Sequence, residues 1–109
     1  LGLFNETQRV EMSRKLAERL VRDAGSDAER TELLFKLVAS RVATELESSV
    51  CDSLLETARQ RYAEAKDEAI ALLATGEVEC DEKLEPVEVA SWTQVTMTVL
   101  ASDVSILMY

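Results

Sequence analysis

The residues best suited to chemistry are the acids of one short stretch, where Glu77, Glu79, Asp81, Glu82, Glu85 and Glu88 surround the single cation Lys83. Calcium takes roughly six to eight oxygen ligands, and clustered carboxylates with nearby carbonyls can supply them. A divalent-cation-binding module is therefore one reading of the loop 77–88, with Glu77, Glu79, Asp81, Glu82 and Glu85 as its metal candidates. The spacing differs from that of an EF-hand loop, and a run of acids between helices is more usually a solvated connection. Glu85 and Glu88 also fall where carboxylates complement the positive end of a following helix.

The chain holds no histidine. Ser-His and Cys-His nucleophile pairs and imidazole metal ligands are thus excluded within it. Lysine or carboxylate chemistry would need a desolvated group, and the acids lie on polar helix faces or in the loop, so the chain reads as non-catalytic and without a cofactor. Cys51 and Cys80 are the two thiols, and neither belongs to a CxxC pair. If one helix continues from Cys51 to Ala74, the thiol lies about 35 Å from its end. The six residues to Cys80 reach back at most about 20 Å, too little for a disulfide. Cys51 then reads as a small core residue and Cys80 as a loop thiol. The sole tryptophan, Trp92, either anchors a partner or carbohydrate or fills the core; its neighbours Val89, Val95 and Val99 favour the core.

Four helices must position these residues. The first runs from about Asn5, capped with Gln8, to Ala24 before Gly25. Its apolar face is Val10, Met12, Leu16, Ala17, Leu20, Val21 and Ala24, with Glu11, Arg14, Lys15, Glu18 and Arg22 opposite. The second starts at Ser26-Asp27-Ala28-Glu29 and reaches about Arg41; Leu33, Leu34, Phe35, Leu37, Val38 and Val42 are spread over most of its circumference, which predicts a central helix. Arg41 is expected to bond the carbonyls that end it. The third starts at Thr44-Glu45-Leu46-Glu47 and meets no breaker before Gly76, giving one long helix of about 45 Å. Val50, Cys51, Leu54, Leu55, Ala58, Tyr62, Ala65, Ala69, Leu72 and Leu73 form its stripe, whose alanines would admit a close neighbour, in the same chain or in a homodimer. The alternation Val95-Thr96-Met97-Thr98-Val99 locally favours a strand. The charge-free run from Val89 to Ser102 exceeds a strand's usual length and Pro86 suits a first helical turn, so a fourth helix is expected. The fold class is all-α, a bundle of about four helices in a single domain spanning 1–109.

Charge narrows the partners. Residues 1–43 carry eight Lys/Arg against seven Asp/Glu, whereas residues 44–109 carry four against fourteen, for a net charge of −9 overall. Such a surface repels phosphate backbones and anionic lipid heads, which disfavours nucleic acid and suits a basic protein partner. No stretch is long and apolar enough for membrane insertion. The start at Leu1 without an initiator Met, and the apolar ends Leu1-Gly2-Leu3-Phe4 and Ile106-Leu107-Met108-Tyr109, suggest a piece of a larger protein.

Four segments, in order along the chain, resemble the carboxyl-terminal part of a planctomycete-specific domain of unknown function. They are Leu3-Phe4-Asn5 with Leu16-Ala17-Glu18-Arg19-Leu20; Ser40-Arg41 with Thr44-Glu45 and Glu47; Gly76-Glu77 with Asp81-Glu82-Lys83-Leu84; and Pro86-Val87-Glu88 with Ala90-Ser91-Trp92-Thr93. Ala43 stands where the family usually has proline, and Ala101-Ser102 where a Leu-Asn pair is common. The resemblance implies a module at the end of large exported bacterial proteins, placed in the cell envelope or beyond, with the other domains of the same polypeptide as its neighbours. It implies no activity.

Overall fold

The computed structural model describes residues 5–76 and 83–102. Among these it holds five helices and no strand: α1 (Glu6–Asp23), α2 (Asp27–Ala39), α3 (Glu45–Glu64), α4 (Lys66–Leu73) and α5 (Pro86–Ser102). The all-α class is as expected. The local start signals also act as read. Asn5 Oδ1 accepts from the Gln8 amide at 2.8 Å while Gln8 Oε1 accepts from the Asn5 amide at 3.1 Å, closing a capping box. Thr44 and Glu47 close a second box at 3.1 and 2.9 Å, and Ser26 Oγ accepts from the Glu29 amide at 3.2 Å. Gly76 has φ +105°, and a Cβ there would collide with the side chain of Glu11, so this position after α4 requires glycine.

The long third helix is divided. Ala65, at φ −132° and ψ 68°, ends α3 by donating to the Arg61 carbonyl at 2.9 Å, and its own carbonyl accepts from the Glu68 amide at 3.0 Å to begin α4. Nothing local demands this, since alanine is the best helix former. The reason is tertiary. A straight helix of about 45 Å would overrun α5, whose 17 residues make about 25 Å. The break instead turns Ala69 and Leu73 into the core, and the domain measures 36 × 31 × 22 Å rather than forming a rod.

The central helix is α5, which corrects the expectation for α2. Val89, Ala90, Ser91, Trp92, Thr93, Val95, Thr96 and Val99 are all buried, and α5 packs most extensively on α1, then on α3 and α4. Two of its buried hydroxyls bond within the helix, Ser91 Oγ donating to the Val87 carbonyl at 2.6 Å and Thr93 Oγ1 to the Val89 carbonyl at 2.7 Å, whereas Thr96 Oγ1 is buried with no partner among the described residues. By contrast α2 buries only Thr31, Leu34 and Phe35 and ends at Ser40 in the left-handed region, φ 55°. Its sequence neighbour Val42 is 77% exposed.

A second correction concerns α1. Arg14, expected on the polar face, is wholly buried, and its Nη1 lies 2.8 Å from Glu18 Oε1. The buried arc runs through Val10, Ser13, Arg14, Ala17 and Leu20, while Met12 is 36% exposed. The face is thus rotated by about 50° around the helix from the purely apolar one.

Candidate interaction surface

The outer side of α3 is held from both ends by ion pairs. At its start, Arg41 donates to both Glu47 oxygens at 2.7 Å and lies 5.4 Å from the Phe35 ring centre. It also donates to the Val42 carbonyl at 3.1 Å, in the link between the two helices, so these bonds serve the entry to α3 rather than the terminal carbonyls of α2. In the middle of α3, Arg59 donates to Asp27 at 2.8 Å and to Glu88 at 2.6 and 2.8 Å. Arg30 joins through Glu88 at 3.3 Å while its Nε donates to the Ala24 carbonyl at 3.0 Å. One network therefore ties the end of α1, the start of α2, the middle of α3 and the start of α5.

These contacts set the titration of the carboxylates. Arg59 holds Asp27 below its ordinary value, chiefly through the hydrogen bonds, and the two acids in turn raise Arg59. The Arg41 hydrogen bonds, with the Thr44 amide second, bring Glu47 down from 4.5 to about 2. Because the folded-state value is the lower one, this stabilisation is complete above about pH 4.5 and fades as the pH falls toward 2. Glu47→Ala is expected to lower stability by about 1–2 kcal/mol at neutral pH, through the lost cap and ion pair. The gap between the wild-type and variant melting temperatures should shrink steadily below pH 4.5; a gap independent of pH would show that the charge of Glu47 contributes nothing.

With both ends of α3 held, its remaining side faces outward. Leu46 is 73% and Val50 48% exposed, and with Val42 just before the helix they repeat every four residues. Beside them a groove of about 390 Å³ opens between α3 and α5, lined by Ser49, Ser53, Leu54 and Thr57 on one side and Gln94 and Thr98 on the other. Gln94 is fixed by donating to the Tyr62 hydroxyl at 2.8 Å. Arg61 at the far end is engaged with Glu68 at 2.8 Å and stacks 5.1 Å from the Tyr62 ring centre. The exposed acids Glu45, Asp52 and Glu56 fall together about a quarter-turn around α3 from this strip.

The residues singled out from the sequence fall elsewhere. Glu77, Glu79, Cys80, Asp81 and Glu82 lie outside the described residues. Glu85 is exposed, and its Oε2 accepts from the Glu88 amide at 2.9 Å as a cap of α5, while Glu88 is committed to Arg59 and Arg30. Among the described residues no three Cys, Asp or Glu gather as a metal would require. Cys51 is a buried free thiol whose pKa burial pushes up to about 11, with the nearby Asp52 and Glu47 adding to it, so at neutral pH it is a poor nucleophile. Trp92 is completely buried, which removes it as a surface anchor. Of the alanines of the third segment, Ala58 and Ala69 pack in the core and Ala65 is half-buried at the break between α3 and α4.

Missing from the sequence reading was the separate face of Leu46, Ser49, Val50, Ser53 and Thr57. Val50 and Cys51 are neighbours in sequence yet stand about 100° apart on a helix. Sorting them by angle separates a buried seam, Cys51, Leu55, Ala58 and Tyr62, from this outward one. No helix of the described residues is long and apolar enough to cross a membrane. No family model matches the chain, and neither the curated proteins nor the solved structures contain a significant match.

Proposed function

We propose that this chain is a non-catalytic structural and protein-interaction module of a larger exported bacterial polypeptide, and that it works through the outer face of α3 and its groove with α5. The supporting observation is the pair Leu46 and Val50, large apolar side chains 73% and 48% exposed beside an open groove on a helix that is rigidly tied elsewhere. Exposed apolar surface continuous with a cleft is costly to leave in water and is a feature of association sites. The larger context comes from the family resemblance carried by Gly76-Glu77, Pro86 and Ala90-Ser91-Trp92-Thr93.

The test is site-specific photo-crosslinking in the source cells, in the full-length protein, with the reactive group at position 46 or 50 and a control at Lys36, an exposed site on α2. The expected result is a discrete crosslink from 46 and 50 in the envelope fraction, within the same polypeptide or to one other protein, and none from 36. Equal labelling from all three positions would sink the interaction reading, and a cytoplasmic product no larger than this chain would sink the exported one.

A further inference from the structure

We infer that the groove between α3 and α5 takes a basic amphipathic helix of a partner protein or domain, an inference that rests on the interaction reading above. The strip from Leu46 through Val50 and Ser53 to Thr57 spans three turns of α3, about 17 Å, and carries no charged side chain. The facing wall is equally uncharged, because α5 has no Asp, Glu, Lys or Arg between Val89 and Ser102. A trough between two helices, floored by small side chains at Ser49, Ser53 and Ala58, accepts a third helix by ridge-into-groove packing, with anchors at intervals of three and four residues.

Charge chooses the kind of helix. The open flank of the strip carries Glu45, Asp52 and Glu56, all exposed, whereas the nearby cations are already engaged: Arg41 with Glu47, Arg59 with Asp27 and Glu88, and Arg61, which lines the far end of the groove, with Glu68. The half of the chain that contains this face has fourteen acids against four bases. A helix docking here therefore gains from Lys or Arg beside its apolar stripe and is rejected if acidic. The same acids oppose a second copy of this chain, because a two-fold contact through the strip would bring both sets of carboxylates together. They equally oppose an anionic lipid surface.

The probe is a fluorescently labelled 18-residue Leu/Lys peptide with an amphipathic helical pattern. It is compared with a permuted peptide of identical composition and with a Leu/Glu version. The expected result is saturable binding of the first alone. Leu46→Asp/Val50→Asp should weaken it at least tenfold, although it makes the protein more acidic, and Glu45→Gln/Asp52→Asn/Glu56→Gln should weaken it severalfold at low salt. All five positions are exposed, and the fluorescence of buried Trp92 verifies that the variants fold. Binding that the aspartates leave unchanged or strengthen would mean general electrostatic attraction and overturn the inference. So would equal binding of the permuted peptide, no binding, or self-association of the wild-type chain abolished by Leu46→Asp. If the peptide fails while crosslinking from position 46 succeeds, the occupant is wrong and the interaction reading stands; failure of both removes both.

Discussion

Trp92→Ala is expected to lower the stability of this domain by about 3–5 kcal/mol, the usual cost of emptying the space of a large aromatic side chain. Trp92 is the largest wholly buried side chain and lies on the central helix, in one cluster with Ala17, Leu20, Leu34, Phe35, Leu55, Tyr62 and Leu73. Those neighbours come from α1, α2, α3 and α4, each already tied to other elements, so they cannot collapse far into the void. For a domain of this size the loss corresponds to a drop of roughly 15–30 °C in melting temperature. Trp92→Phe is expected to cost much less, about 1–2 kcal/mol, because it retains a ring and gives up an indole nitrogen that has no hydrogen-bond partner among the described residues. Circular dichroism melts of the two variants decide the matter. An alanine variant within 1 kcal/mol of wild type would mean that the core around α5 is loose, and a phenylalanine variant as damaged as the alanine one would mean that Nε1 makes an essential contact.

The parts of this fold that were legible in the sequence are those with local causes. Asn5-Gln8, Ser26-Glu29 and Thr44-Glu47 announce helix starts because the cap and its acceptor lie three residues apart. Pro86 and a charge-free run too long for a strand identify α5 despite its alternating valines and threonines. The parts that were hidden have causes at a distance. Ala65 breaks a helix that its own propensity would extend, because α5 is too short to accompany it. The exchange of roles between α2 and α5 is hidden for a similar reason. Leu33, Leu37 and Val38 look as apolar as any core, whereas the hydroxyls of Ser91 and Thr93 look polar until they are seen to bond within their own helix. The proposed surface was obscured by adjacency: Val50 was grouped with Cys51 on one stripe, although only Cys51 points inward. The loop acids carried the clearest chemical pattern. Of them the described residues include Glu85 and Glu88, and both serve α5, one as a cap and one in the Arg59 network.

Arg14 supplies the strongest test of how charge is accommodated inside this bundle. It is wholly buried on α1, one turn before Glu18, which is 12% exposed and accepts from it at 2.8 Å; Glu18 also faces the exposed Arg22 at 3.9 Å. A buried guanidinium that loses its carboxylate keeps its desolvation penalty and forfeits the ion pair that offsets much of it. Glu18→Ala is therefore expected to cost about 2–4 kcal/mol, far more than the 0–1 kcal/mol of a surface pair. Arg14→Met should be milder, about 1–2 kcal/mol, because the methionine stem follows the same path and the carboxylate left at Glu18, 12% exposed, still faces Arg22 at 3.9 Å. In the Arg14→Met background Glu18→Ala should then become almost harmless, leaving a coupling energy of at least about 1.5 kcal/mol in a double-mutant cycle. The order of the single variants carries the argument. If Arg14→Met costs more than Glu18→Ala, the arginine is held by contacts of its guanidinium beyond Glu18, and the buried ion pair is incidental to the packing of α1 against α5. If Glu18→Ala is the worse of the two and the cycle shows coupling, the charge at position 14 is tolerated only because a carboxylate one turn later follows it into the core.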